Sequence, residues 1–440
     1  MATKELTIIG AGPAGLAAAY YAKKAGITFR LLEGSGRVGG NAATLRHGHF
    51  LYDTGAHRWH DRLPEITAQI KELLGEDLVE IHVPSQIYSK GRFFDFPLSP
   101  LNLLQNLSFA TLLKAVAEVF AQQIKPELRN KNFKTSAIAA YGPTIANRFL
   151  LGYSEKLWGA PVEKLSVAVA GKRLKGLNLK TFLIEAMRGS KAKTQHLDGG
   201  FYYPKYGIGA IADKLAAQIG QEQIQLNARV QKIHHHNNEI TAVETETKEK
   251  QTVHQLISTL PLTTLVRSLN PPAPAHILAA AAALEFRHLV LVVLFLNKPC
   301  VTPNASVYFP DPEVPFTRLY EPRNRSAFMA PEGKTSVVIE IPVSRQDFLW
   351  QQTDEKLIEL VQQKLTGFKL ISPEEVIYGK VHKVPFAYPV LLQESEQHTQ
   401  VLLHYLASFS NLKLIGRTAS FRYTHLHDHF LQAKQIISNL

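Results

Sequence analysis

Apolar residues open the chain as a short run, Leu6 to Ile9, then recur at helical spacing from Ala14 to about Ala25, then run together again from Thr28 to Leu32. Short continuous runs bounded by glycines read as buried strands, and the spaced segment between them reads as a helix. The opening therefore predicts a βαβ unit. The same texture returns after residue 200, with a helical pattern over 208–219 and strand-like runs at 224–233, 239–245 and 253–260. Elsewhere the pattern changes. Residues 101–124 are apolar at helical spacing but broken by Gln, Asn, Lys and Glu, which predicts a core-facing helix, with membrane-surface contact as the minor alternative. The longest apolar run, Leu289 to Leu296, has eight residues. A bilayer span needs about 20. Its Val and Leu content predicts a buried strand instead.

The turn after the first strand reads Gly10-Ala-Gly12-Pro-Ala-Gly15, and the second strand ends in Glu33. In this setting the three glycines carry a specific meaning. Gly10 permits a tight turn, Gly12 lets the backbone approach a pyrophosphate, and Gly15 lets helix and strand pack closely. The helix N-terminus then turns its positive dipole end to the phosphates. Glu33 lies about 20 residues on, where a carboxylate accepts from ribose hydroxyls. A nicotinamide dinucleotide needs nothing further, yet the chain continues Gly34-Ser-Gly36-Arg37-Val-Gly39-Gly40. Arg37 can meet a phosphate bidentately. Gly39 and Gly40 let the backbone pass close to a larger, extended dinucleotide.

This continuation resembles the E-x-x-x-R-x-G-G of FAD-binding amine oxidases, protoporphyrinogen oxidases and UDP-galactopyranose mutases. The resemblance implies tightly bound, non-covalent FAD. The fold it implies is α/β, a Rossmann-type FAD-binding domain with a parallel sheet, interleaved with a mixed α+β substrate domain. On that division, residues 1–80, 200–262 and 386–440 form the FAD-binding domain, and 81–199 and 263–385 the substrate domain.

Three further segments carry the likeness. Gly55-Ala56-His57 resembles the G-G-H or G-P-H of the mutases and predicts a histidine over the flavin. Tyr153-Ser-Glu-Lys156-Leu-Trp158-Gly159 is similar to their Y-T-x-K-x-W-G. Arg173 matches the first arginine of their K-R-L-P-V-R, while Leu177 stands where the second would be. Ala387-Tyr388-Pro389-Val390 resembles their Y-P-V. Gly416-Arg417, followed by a helix from about Leu426, is similar to the segment that closes their cofactor domain. The resemblance thus implies cofactor contacts at Gly10, Gly12, Gly15, Glu33, Arg37, Gly39, Gly40, Gly55, Val230, Gly416, Arg417 and Leu426, with Arg417 reaching the phosphates. It implies catalytic or substrate-facing roles for His57, Arg173 and Tyr388, in a pocket with Tyr153, Lys156 and Trp158. Arg318, in a segment rich in cations, is a further candidate for pairing with an anionic substrate.

Composition narrows the setting. The formal net charge of +12 favours anionic partners. No basic run interleaved with aromatics points to nucleic acid. The single cysteine, Cys300, excludes an internal disulfide framework and fits a reducing, cytoplasmic compartment, as does an N-terminus without a signal-peptide pattern. His234-His-His236 is expected in a solvated hairpin turn, and His425, His427 and His429 match no standard metal-ligand spacing. No metal site is expected.

The function expected is a FAD-dependent oxidoreductase whose flavin N5 takes a hydride from a partly anionic small molecule, with NAD(P)H a candidate reductant. One alternative is a mutase-like, redox-neutral rearrangement of a nucleotide sugar. The other is a non-catalytic carrier on the same scaffold, against which Glu33, Arg37 and Arg417 argue.

Overall fold

A computed structural model describes residues 5–123, 131–170 and 200–440. Leu6–Ile9, Pro13–Lys24 and Phe29–Leu32 form the expected βαβ unit, its two strands parallel and in register from Leu6 opposite Phe29 to Ile9 opposite Leu32. Gln255–Ser258 pairs on the other side of the first strand, Leu412–Leu414 lies outside it, and Ile224–Gln225 closes the far edge. All five strands are parallel. Helices cover such a sheet, which is why its strands read as continuous apolar runs. Pro13–Lys24 packs against Gly209–Ile219 and Leu426–Ile437, and its alanines at 14, 17, 18 and 19 are buried and small enough for close approach.

The run at 224–233 divides. Asn227 has a left-handed φ of 56°, and beyond it Val230–His236 pairs antiparallel with Glu239–Thr245 in a separate four-stranded sheet. The turn falls on Asn237 and Asn238, both at positive φ, so the histidine triplet lies on the strand rather than in the turn. His234 meets the Glu244 carboxylate at 2.9 Å and the Asn270 amide at 3.0 Å, so cross-strand pairing accounts for it.

The third sheet has seven strands, ordered Val376–Pro389, Phe286–Leu296, Thr335–Val343, Arg318–Tyr320, Ser306–Tyr308, Ser85–Ser89 and Arg92–Phe96. Every residue of Phe286–Leu296 and Thr335–Val343 is buried. Helix Asp354–Gly367 covers one face through Leu357, Val361 and Leu365, while Phe50 and Tyr52 pack on the other.

A helical region leans on this sheet. The helix expected over 101–124 is two, Pro100–Asn106 and Phe109–Gln123. Among the described residues of this stretch, Leu103, Leu107 and Ala115 are the buried members of the local core, so the core-facing reading holds for one side alone. Phe133–Ala146 follows, kinked at Gly142–Pro143, then a π turn over Asn147–Leu151 and the short helix Gly152–Trp158. Among the described residues no helix is long and apolar enough to cross a membrane.

Candidate active site

The glycines gather where the first strand ends. A Cβ on Gly15 would lie 1.8 Å from the Gly10 carbonyl oxygen, so no side chain fits where the helix crosses the turn. A Cβ on Gly12 would meet nothing nearer than Gly40 Cα, at 3.9 Å, and one on Gly40 would lie 3.1 Å from Gly12 Cα. Gly12 and Gly40 therefore wall a slot made of backbone. The Gly39 N–H donates to the Ala11 carbonyl at 2.8 Å, tying the second glycine stretch to the first, and Gly416 abuts Ala14. The Glu33 carboxylate accepts from the Ala11 N–H at 2.7 Å and from the Ser35 N–H and hydroxyl at 2.8 and 2.7 Å. The Ala228 N–H donates to the Glu33 carbonyl, which brings the start of strand Val230–His236 beside this acid. Arg37 donates to the carbonyls of Val38 and Gly40. Leu426 is the first residue of its helix. The slot, the acid at the strand end and the helix N-terminus fit an extended dinucleotide with two phosphates.

From the same end of the fold a loop carries Gly55, Ala56 and His57. Strand pairing sets Arg318 opposite Glu340, and its Nε and Nη2 donate to one Glu340 oxygen at 2.8 and 2.6 Å. The other Glu340 oxygen accepts the Ala56 N–H at 2.8 Å. One buried acid thus fixes both the cation and the loop. Arg325 donates to the His57 carbonyl at 2.9 Å. Trp158 meets Tyr388 and Tyr423 edge-on, with ring centroids 6.0 and 5.8 Å apart, and Tyr153 meets Tyr308 at 5.9 Å. The Arg417 guanidinium lies over the rings of Tyr388 and Tyr423.

Charge sets the character of this cleft. Burial, with Arg417, Arg318 and Arg325 nearby, pushes the His57 pKa down to about 3, so its ring stays neutral. Burial and the Glu340 carboxylate push the Tyr388 hydroxyl up to about 12, against the pull of Arg318 and Arg417. Burial opposes the Arg318 charge, but Glu340 together with Tyr388, Tyr308 and Tyr153 outweighs it and holds the guanidinium protonated.

Of the residues expected together, Trp158 meets Tyr388, and Tyr388 and Tyr153 lie within electrostatic range of Arg318. Two expectations change. Lys156 points its amine into a ring of backbone carbonyls, those of Phe309, Asp311, Val314 and Phe316, at 2.6 to 3.1 Å. An ammonium has three donors, and this turn uses them. Lys156 therefore pins the 309–316 loop instead of facing an anion, and burial lowers its pKa to about 8. Arg417 turns to the carbonyls of Thr424 and Ala387 and to the tyrosines, so it stands on the cleft side and not at the phosphate slot. Arg173 lies outside the described residues. Two side chains escaped the sequence reading. Glu340 is the lone acid in Thr335–Val343, and that isolation was its signal. Arg287 is buried and donates to the carbonyls of Lys156 and Pro342, at the end of the helix bearing Trp158.

The sequence profile of the family described as flavin containing amine oxidoreductase matches residues 13–433. Protoporphyrinogen oxidase 2 of Arabidopsis thaliana is 27% identical over 114 residues, 25% of this chain and 22% of that protein. The match thus spans about a quarter of either sequence. Among solved structures, reduced UDP-galactopyranose mutase superposes with a TM-score of 0.87 at 20% identity, covering 100% of this chain and 94% of that one. Putrescine oxidase bound to putrescine gives 0.69 at 15% identity, covering 99% and 98%. At these identities the likeness establishes the α/β fold with its parallel sheet.

Proposed function

Since this chain belongs to the flavin-containing amine oxidoreductase family, we propose that it binds FAD along the Gly10–Gly15 turn and oxidises an anionic small molecule in the cleft of Arg318 and Tyr388. Gly12, Gly40 and the N-terminus of Pro13–Lys24 would hold the diphosphate, with Gly10, Gly15, Gly39 and Gly416 shaping the slot and Arg37 adding a cation. Glu33 would accept from ribose, the Val230 backbone would flank the adenine end, and Gly55, His57 and the helix starting at Leu426 would border the flavin ring. Bound FAD supplies a two-electron acceptor, and NAD(P)H is a candidate reductant.

The observation that carries the substrate reading is the convergence of Arg318, Arg325 and Arg417 on His57. Of the acids near them, Glu340 already holds Arg318 and the Ala56 N–H, and buried Asp53, in the field of Arg325, accepts from Thr44, Tyr203 and the Ile208 N–H. Such a field attracts a carboxylate or phosphate and repels a protonated amine, whatever the family's description. Arg318 orients the anion, the neutral His57 ring acts as a hydrogen-bonding wall and not a proton carrier, and Trp158, Tyr388 and Tyr423 exclude water. A second reading, redox-neutral rearrangement of a nucleotide sugar, is favoured by the aromatic cluster beside the arginines and by the end-to-end match to the mutase.

The test is anaerobic. The purified protein, reconstituted with FAD, should show flavin absorbance near about 370 and 450 nm. Carboxylate- and phosphate-bearing substrates should bleach it, and diamines should not. Conversion of a UDP-sugar without net redox change would establish the second reading. A protein that retains no FAD would be a carrier, and bleaching by diamines alone would overturn the anionic cleft.

A further inference from the structure

The helices Pro100–Asn106 and Phe109–Gln123 bury one side, and no described residue covers the other. Phe109, Leu113, Val116 and Phe120 recur at intervals of four, three and four, which places them on one face. With Leu101 and Leu104 on the preceding helix they are 39% to 74% exposed. Phe109 is the most exposed of the six, at 74%. Half-exposed side chains of this size sum to roughly 600 Å², at the level where an apolar patch marks an interaction site.

Among the described residues, the exposed cations beside this face are Arg92 and Lys90. Lys114 lies about 130° round the helix from the stripe, and its ammonium pairs with Glu118 at 4.0 Å. Arg92 is exposed and donates to the Asn106 carbonyl, where the first helix ends next to Phe109, and exposed Lys90 lies two residues away in the hairpin turn. The nearby acids are engaged inward. Glu118 accepts from the Thr144 N–H and hydroxyl, and Asp95 accepts from Ser99. A second copy of the chain would bring the same cations against these, a like-charge contact. An anionic lipid surface would complement both the apolar stripe and its cationic rim.

We propose that this helical face docks peripherally on an anionic bilayer, with the Phe109–Phe120 stripe at the headgroup boundary and Arg92 and Lys90 among the lipid phosphates. The contact is independent of the chemistry in the cleft, because neither helix contributes a residue to it.

Vesicle flotation tests this directly. The FAD-loaded full chain is mixed with phosphatidylcholine vesicles, alone or with about one third phosphatidylglycerol. The wild type should float with the anionic vesicles and bind the neutral ones at least about tenfold more weakly. The triple variant F109S/L113Q/F120S should lose tenfold or more of its anionic-vesicle binding. Those side chains are exposed, and unchanged FAD content and urea midpoint confirm that the variant is folded. Equal binding of variant and wild type, equal binding to neutral vesicles, or no flotation at all would overturn the proposal. So would a dimer in gel filtration that the triple variant dissolves, with no vesicle binding, since a second copy would then be the occupant.

Discussion

Replacing Glu340 by glutamine isolates the contact that joins the two halves of the cleft. The carboxylate sits in a strand whose nine residues are all buried, accepts two Arg318 donors at 2.8 and 2.6 Å, and takes the Ala56 N–H at 2.8 Å. Removing one partner of a buried ion pair costs about 3–5 kcal/mol, because the other charge is left uncompensated. Two features lower that figure here. The Arg318 side chain is 18% exposed, so cleft water recovers part of its solvation, and glutamine still offers one carbonyl oxygen. The expected loss is about 2–3 kcal/mol for Glu340→Gln, and about 4 for Glu340→Ala, which also orphans the Ala56 N–H. A double-mutant cycle with Arg318→Met separates the pair from general damage. If the two act as a unit, the double variant should be about 2 kcal/mol less destabilised than the sum of the singles. Urea midpoints of the FAD-loaded protein read this out. The Michaelis constant for an anionic substrate should rise in Glu340→Gln even where the fold survives, because Arg318 loses its fixed direction. A coupling energy under about 0.5 kcal/mol would refute the argument, since Arg318 would then take its orientation from elsewhere.

Three other outcomes follow from the same geometry. Glu33→Ala removes the acceptor at the strand end, and FAD affinity should fall by about 1.5–3 kcal/mol in titrations of the apo-protein while the fold persists; unchanged affinity would remove Glu33 from the ribose. Burial lowers Lys156 from its usual 10.5 to about 8, so between those values the unfolded chain holds more protons and stability should rise with pH; Lys156→Met should abolish that slope between about pH 8 and 10, and an unchanged slope would assign it to another group. Burial and neighbouring arginines hold His57 and His429 at about 3 and His288 at about 4, all below the ordinary 6.5. The unfolded chain therefore takes up protons first as pH falls, and urea midpoints should drop from about pH 6.5 towards 4. A flat profile there would mean that these rings are hydrated and charged.

The cofactor end was legible because its demands are local. A turn that tolerates no side chain, a helix start and an acid at the strand end lie within the first 33 residues, and each is visible as a residue type at a fixed spacing. The cleft was legible only as a set of ingredients. Tyr153, Trp158, Arg318 and Tyr388 carried chemistry that pointed to an anion, but their targets depend on strand pairings set by distant segments. Lys156 shows the difference. Its motif suggested a phosphate ligand, yet the 309–316 loop comes round to offer it four carbonyls, and nothing in the spacing of Tyr153 to Gly159 encodes that loop. Arg417 likewise follows Gly416 in sequence, but its long side chain leaves the phosphate slot and reaches the tyrosines. Glu340 is the converse case. It belongs to no motif, and its evidence is physical: a carboxylate inside a fully buried strand needs a cation and a donor, and Arg318 on the paired strand and the Ala56 N–H are those partners. A charged residue isolated in an apolar run is therefore a stronger pointer to the arginine-lined cleft of this fold than the motif lysine, because burial leaves it only one way to be satisfied.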